Sequence, residues 1–380
     1  MDTAALHDFA DFNLLPPLLS ALERGGYKKP SAIQMQAIPA LVSGQDVLAI
    51  AQTGSGKTAA YALPILDRLG RLAPQRHPGA PTALVLAPTR ELATQIASVF
   101  RQFGRALPLR TRVACGGLPR DGQIKALAEG VDILVGTPGR LIDLLDGGHL
   151  HLENAGLLVL DEADRMLDGD FLEDMARIAA HLPDKRQTAL CSATASATVR
   201  TLAQRLLHKP VAIEIEAETV TPKRIRQRAI FADKAEKPKL VAAALRGTRD
   251  RAIVFVRTKA DAERLAGILR REDIAVETIH GDRTQGARNK ALDAFRAGRV
   301  RALIATDIAA RGLDIGDIML VVNMDLPDKA ETYVHRIGRT ARAGKRGAAL
   351  TLCDVDERTT LREIEKKIGY RITIVGPEAL

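Results

Sequence analysis

Short apolar runs alternate with longer stretches of helical periodicity along most of this chain. In the first part the runs are Val47–Ile50, Ala83–Leu86, Ile133–Val135, Leu157–Leu160 and Thr188–Leu190. In the second they are Ala252–Val256, Ala302–Ala305, Leu320–Val322 and Ala348–Leu352, with helical patterns such as Ala260–Arg270 and Gln285–Ala297 between them. Runs this short, apolar at nearly every position, predict strands buried on both faces of a parallel sheet. The expected class is α/β, with two domains that each hold a mostly parallel sheet flanked by helices.

Between the two parts, Glu214-Ile215-Glu216-Ala217-Glu218 runs into Thr221-Pro222-Lys223-Arg224. Acids followed by proline and bases read as a linker, although the alternation of Val211–Ile215 reads equally as an edge strand. The expected layout is a domain over 1–210, a linker over 211–224, a second domain over 225–373 and a short tail over 374–380. The helical stretch Glu357–Ile368 reads as the stub of a longer extension.

The 380 residues are 46% hydrophobic and 27% charged, enough for two sizeable cores and too apolar for wholesale disorder. No run approaches the ~18 apolar residues of a membrane span. The opening MDTAALHDFADF carries acids where a secretory signal carries bases. Cys115, Cys191 and Cys353 lie far apart, which excludes a disulfide framework and a Cys-rich zinc site. A reducing, cytoplasmic setting is expected. The net charge of +9 is uneven, with +8 on residues 211–380. A basic half points to a polyanionic partner. Only 3% of residues are aromatic and none is Trp, so a nucleic acid would be held by its backbone rather than by stacked bases.

The chemistry concentrates at strand ends. After Val47–Ile50 comes Ala51-Gln52-Thr53-Gly54-Ser55-Gly56-Lys57-Thr58 and then a helical pattern. Glycines let backbone N–H groups approach phosphate, and a helix N-terminus favours negative charge. Lys57 is placed for the β- and γ-phosphates and Thr58 for Mg²⁺. The strict motif opens with glycine, where this chain has Ala51. Asp161-Glu162-Ala163-Asp164 follows Leu157–Leu160 at the end of a strand, where ligands of open parallel sheets bind. Asp161 is the expected Mg²⁺ partner and Glu162 the expected base for water. In the second part, His335-Arg336-Ile337-Gly338-Arg339-Thr340-Ala341-Arg342 places arginines every three residues, on one face if helical. They suit the arginine-finger role of phosphoryl transfer. One ATP bound by the first part and completed by the second is the economical reading.

Taken together, these motifs resemble the DEAD-box ATP-dependent RNA helicases of superfamily 2, over nearly the whole chain and most closely the minimal bacterial members. The resemblance implies two tandem RecA-like domains and RNA-stimulated ATP hydrolysis coupled to local, non-processive separation of short duplexes. It assigns Phe9 and Gln34 to adenine, Thr53 to Thr58 to the phosphates and Asp314 to the ribose. Ser31-Ala32 replaces the usual Thr-Pro of the adenine motif. Read without the family, Phe9 and Tyr27 are core aromatics. Ser192 and Thr194 are expected to bond Asp164 and couple hydrolysis to RNA. The RNA contacts implied are Pro88, Thr89, Arg90, Gly116-Gly117, Thr137, Pro138, Arg140, Gln285, Arg288 and Thr306, with Arg336 and Arg339 on the ATP phosphates. Arg257 stands where Asn is frequent, and Ala341 where Gly is common.

The implied partners are single-stranded and short duplex RNA without sequence preference, in ribosome-assembly or RNA-decay complexes, with the chain itself a monomer. Two other readings compete: an ATP-gated RNA clamp that anchors a larger assembly and uses the same residues, and a processive DNA translocase of the same superfamily, against which Asp161–Asp164 and Gln34 argue. Strand separation on a short duplex tests the first, and RNA against DNA as the ATPase activator tests the second.

Overall fold

The apolar runs become strands because their alternate residues are wanted on opposite faces. The computed structural model describes residues 8–52, 54–72, 76–166, 171–215, 225–248, 250–307, 318–341 and 347–380, without the side chains of Gln285 and Asn289. In the first unit the strands are β1 Val47–Ile50, β2 Ala83–Leu86, β3 Thr111–Ala114, β4 Ile133–Gly136, β5 Leu157–Leu160, β6 Gln187–Ser192 and β7 Val211–Glu214. They lie in the order β3-β4-β2-β5-β6-β1-β7, and every pairing is parallel. Val47, Ala49, Ala83 and Val85 feed the core on one face of this sheet; Leu48, Ile50, Leu84 and Leu86 feed the core on the other. Two-sided burial explains why these strands carry no polar alternation.

The second unit repeats the plan. Its strands are β8 Ile225–Phe231, β9 Ala252–Phe255, β10 Val276–Ile279, β11 Ala302–Ala305, β12 Leu320–Asn323, β13 Gly347–Cys353 and β14 Thr373–Ile374. The order β10-β11-β9-β12-β13-β8-β14 is the first sheet's order with each number raised by seven, and again all pairings are parallel. Helices pack on both faces, over one core centred on Phe255, Phe295 and Tyr333 and another on Val254, Leu265 and Leu352. In each unit the loops that leave the carboxyl ends of the strands share one edge, the place where open parallel sheets bind ligands.

Two expected boundaries change. The linker was placed at 211–224, but Val211–Glu214 is β7, the edge strand beside β1, and the chain divides between Ala217 and Glu218. The alternation of this segment therefore marks a strand with one face on the core, where Ile213 is buried. Residues 216–224 lie outside the described residues. The tail expected at 374–380 instead contributes Ile374 to β14, and Arg228 Nη1 holds the carbonyl of Ala379 at 3.2 Å. Helix Arg358–Ile368 packs into the second unit, with Leu361 and Ile364 buried in its core.

Candidate active site

The carboxyl end of β1 leads straight into the glycine-rich loop. Gly56 has φ +95°, in the left-handed region that suits glycine, and a Cβ there would stand 2.5 Å from Gln34 Nε2. Helix Lys57–Gly70 begins on the next residue. Lys57 is buried, and its ammonium donates to the carbonyls of Ala51 and, at 3.0 Å, Gln52. Thr58 follows on the first helical turn. Gly54 has φ +87°, and Thr53 lies outside the described residues. Ser55 Oγ is buried with no hydrogen-bond partner among the described residues.

This loop is fastened from upstream. Gln34 Nε2 donates to the Gly56 carbonyl at 3.1 Å, Ser31 Oγ donates to the Ser55 carbonyl at 2.7 Å, and the Ser31 N–H donates to Gln34 Oε1 at 2.9 Å. Both ends of the Gln34 amide, expected on adenine, thus bond the protein. Of the two aromatics that read as core without the family, one is buried and the other is not. Phe9 is a core residue set edge-on to Phe12 at 6.0 Å, whereas Tyr27 is 38% exposed against Phe103.

Asp161 leaves β5 with 3% exposure, and its carboxylate accepts Tyr61 Oη at 2.8 Å and the Glu162 N–H at 2.9 Å. Burial raises its pKa above the usual carboxylate range, against the pull of the Lys57 charge, and Glu162 adds to the rise. Burial and the same carboxylate push the Tyr61 phenol well up. Glu162 holds φ +53°, a left-handed conformation that costs a non-glycine residue about 1–3 kcal/mol and is a mark of functional sites. Its carboxylate pairs with Arg165. Neither Tyr61 nor Arg165 was anticipated. Tyr61 sits four residues after Lys57, so helical spacing could have placed both on the face toward β5.

Of the two hydroxyls expected on Asp164, only one arrives. Thr194 Oγ1 donates to Asp164 Oδ2 at 3.3 Å. Ser192 instead bonds the Thr194 backbone, donating to its carbonyl at 2.8 Å and accepting its N–H at 3.2 Å. The oxygen donors of Asp161 and Thr58 fit Mg²⁺, a hard cation that takes one or two carboxylates and completes its shell with water and phosphate. The raised Asp161 carboxyl and the unpartnered Ser55 hydroxyl are what a cation and phosphates would satisfy. No larger metal-binding cluster occurs among the described residues.

The expected RNA residues of this unit converge on the adjoining strand ends β2, β4 and β3. Pro88 precedes Thr89, which caps helix Arg90–Phe103 by accepting the Leu92 N–H, and Thr137 precedes the helix opened by Pro138. Arg90 Nη1 donates to the Gly116 carbonyl at 3.1 Å, and Arg140 Nη1 to the Leu118 carbonyl at 3.3 Å. Gly117 has φ +72°, and a Cβ there would collide with the Arg90 guanidinium. Gln123, which the sequence reading missed, is the buried clamp of this loop: its amide bonds both the N–H and the carbonyl of Cys115. Two helix N-termini, two arginines and exposed glycines on one edge make a surface suited to phosphate oxygens.

In the second unit Thr306 follows β11, its N–H on the Ile279 carbonyl at 3.3 Å, and Thr284 caps the helix that carries Gln285 and Arg288. Arg257 does not stand free. It donates from Nη2 to Glu357 Oε1 at 3.2 Å and to the Leu326 carbonyl at 3.3 Å. The arginine cluster departs from the shared helical face, because helix Ala330–Ile337 stops at Gly338 and leaves Arg339 in the following turn. Arg336 is 3% exposed and clamps Asp307 bidentately at 2.6 and 2.7 Å. Asp314 and Arg342 lie outside the described residues.

Comparison with known proteins gives a consistent result. The DEAD/DEAH box helicase profile matches residues 31–202, and the helicase conserved C-terminal domain matches residues 236–344. The ATP-dependent RNA helicase DeaD of Klebsiella pneumoniae is 45% identical over 96% of this chain, which spans 56% of that protein. The ATP-dependent RNA helicase SrmB of Haemophilus influenzae is 42% identical over 95% of this chain, which spans 83% of that protein. The structure of S. cerevisiae Dbp5 bound to RNA and ADP BeF3 matches with a TM-score of 0.86 at 33% identity, covering 98% of this chain and 96% of that one.

Proposed function

This chain belongs to the DEAD-box family of ATP-dependent RNA helicases, ATP-hydrolysing enzymes with tandem RecA-like domains, and from that premise we propose that it uses ATP to part short RNA duplexes locally and to remodel RNA–protein complexes. The observation that carries this reading is the meeting of Lys57, Asp161 and Glu162 at one sheet edge, with Thr194 bridging to Asp164 of the same motif.

In the proposed reaction, phosphate oxygens replace the Ala51 and Gln52 carbonyls on the Lys57 ammonium. The N–H groups of the Gly54–Gly56 turn and the start of helix Lys57–Gly70 hold the same anion. Thr58 and Asp161 would hold Mg²⁺, which would supply charge neutralisation at the phosphates. Gln34 takes the adenine edge, since an amide both donates and accepts. Glu162, exchanging Arg165 for a water molecule, takes that water's proton as it attacks the γ-phosphorus, the bond from the γ-phosphorus to the β–γ bridging oxygen breaks, and ADP leaves with that oxygen. Hydrolysis draws on both units: Arg339 supplies positive charge to the developing transition state. Arg336, buried on Asp307, supports the segment that carries Arg339.

RNA engagement is proposed through Pro88, Thr89, Arg90, Gly117, Thr137, Pro138 and Arg140 in the first unit and Thr306 in the second. These are hydroxyls, guanidinium groups and N–H groups, with few aromatic rings, so the contacts are to backbone and 2′-OH groups and carry no sequence preference. Dbp5 is bound to RNA and a nucleotide complex in the matched structure, which supports joint binding. ATP and RNA then strengthen each other's binding by linkage. A cytoplasmic monomer acting in ribosome assembly or RNA decay fits this chemistry. Among the described residues, no helix is long and apolar enough to cross a membrane.

The test is Glu162→Gln. Hydrolysis is expected to fall by about 10²–10⁴, while filter binding still finds ATP and RNA retained together. Undiminished turnover in this variant removes Glu162 from the role of base.

A further inference from the structure

In the second unit, four loops meet on one carboxylate. Glu357 Oε2 accepts the Lys237 ammonium at 2.7 Å and the Asp354 N–H at 3.1 Å. Its Oε1 accepts the Leu326 N–H at 3.1 Å and Arg257 Nη2 at 3.2 Å. These donors follow β8, β13, β12 and β9, so one side chain ties together the loops of four neighbouring or near-neighbouring strands. The Lys237 residue is only 1% exposed. Four donors on one buried acceptor leave it no rotational freedom, and each donor fixes a different backbone.

The network then runs to the arginines. Asp325 Oδ2 accepts the Arg257 N–H at 2.9 Å, and the Asp325 carbonyl accepts Arg336 Nη1 at 2.6 Å. Arg336 also reaches Asn323 Oδ1 at 3.3 Å and lies over the Phe255 ring at 4.9 Å. The Arg339 N–H in turn bonds the Arg336 carbonyl at 3.1 Å. An unbroken path of hydrogen bonds therefore joins Glu357, Asp325–Leu326, Arg336 and Arg339. We propose that Glu357, seated on Lys237, is a positioning residue for ATP hydrolysis. It braces the Asp325–Leu326 segment on which Arg336 leans, and through Arg336 sets the turn that carries Arg339. This proposal rests on Arg339 as the phosphate-facing arginine.

A positioning role separates from a merely structural one because the two depend on different parts of the network. A buried ion pair is often replaced by apolar side chains without loss of stability. Apolar groups cannot accept the Leu326 N–H or the Arg257 guanidinium. The experiment compares the full chain with the double variant Lys237→Met/Glu357→Leu, measuring RNA-stimulated kcat, KM for ATP and the denaturant midpoint. The midpoint is expected to fall less than it does for Lys237→Met alone, while kcat falls on the order of 10²-fold and KM moves by less than about twofold.

Adding Arg339→Ala to the double variant is expected to cost far less than Arg339→Ala costs alone, because both act on one group. An unchanged kcat in the folded double variant, or losses that multiply in full, overturns the proposal. If the double variant does not fold, Lys237→Met/Glu357→Gln, which removes the ion pair but keeps an oxygen for the Leu326 N–H, is expected to hold kcat within about tenfold of the parent; a loss on the order of 10²-fold overturns the bracing role. A parent chain without RNA-stimulated hydrolysis instead sinks the functional reading before any variant is made.

Discussion

The two sheets have one topology, and in each the helix after the first strand begins with a buried lysine: Lys57 behind β1 and Lys237 behind β8. Their surroundings differ in kind. Lys57 follows a loop with Gly54 and Gly56 and rests on two peptide carbonyls, neutral acceptors that phosphate can displace. Lys237 follows Ala232-Asp233-Lys234-Ala235-Glu236, which lacks glycine, and it faces Glu357 with Asp325 and Asp354 at 3.9 Å. One lysine is left open to an incoming anion; the other has its anions built in. On the proposed reading the same scaffold position serves ligand capture in one unit and internal bracing in the other, and backbone topology alone does not tell which.

The largest effect is expected at the proposed arginine finger. Arg339→Ala is expected to lower kcat by roughly 10³ or more while ATP affinity, read by a fluorescent analogue, changes little. Comparable losses in both quantities break the assignment of binding to one unit and transition-state charge to the other.

The paired lysines sharpen the contrast. Lys57→Met is expected to weaken ATP binding about 10–100-fold, the worth of a charge-assisted hydrogen bond, with a small change in the unfolding midpoint. Lys237→Met is expected to do the reverse. It leaves three carboxylates without their shared cation, costing about 3–5 kcal/mol of stability, and spares nucleotide affinity. Similar behaviour of the two variants erases the distinction drawn here.

The smallest effect concerns pH and belongs to the second unit alone. Burial works against the charged form of Glu263, yet hydrogen bonds from His280 and Thr278 and the nearby Arg283 bring its pKa from 4.5 down to about 2. The folded value is depressed, so the unfolded chain binds more protons between these limits. The stabilisation is present above about pH 4.5 and is lost as the pH falls toward 2. Because the group is partly exposed, the effect is modest. Denaturant titrations of the parent and Glu263→Gln are expected to diverge above pH 4.5 and to converge toward pH 2; parallel curves remove the pairing from the account.

The inner strands were readable because two-sided burial writes a continuous apolar run, as in Leu157–Leu160. The strands Thr111–Ala114 and Val276–Ile279 escaped because they lie at sheet edges and mix polar with apolar residues. In β8, Arg226 and Arg228 break the apolar run of an inner strand. The phosphate loop and the Asp161–Asp164 motif were readable because their chemistry is local. Contacts made across the chain were not. Tyr61, 100 residues from Asp161, was within reach only through its spacing from Lys57; Lys237 meets Glu357 from 120 residues away, and no spacing rule reaches that far. Arg336 was misplaced for the same reason: its burial depends on Asp307, 29 residues upstream.

The hydrogen bonds from Ser31 and Gln34 to the carbonyls of Ser55 and Gly56 carry a consequence for anyone who would cut or transplant this motif. The working unit is larger than its glycines. Excising the segment before residue 35 would keep every phosphate-facing group and still strip the turn of its two outside anchors. A graft of residues 51–58 onto another sheet would inherit the same slackness unless the upstream helix travelled with it.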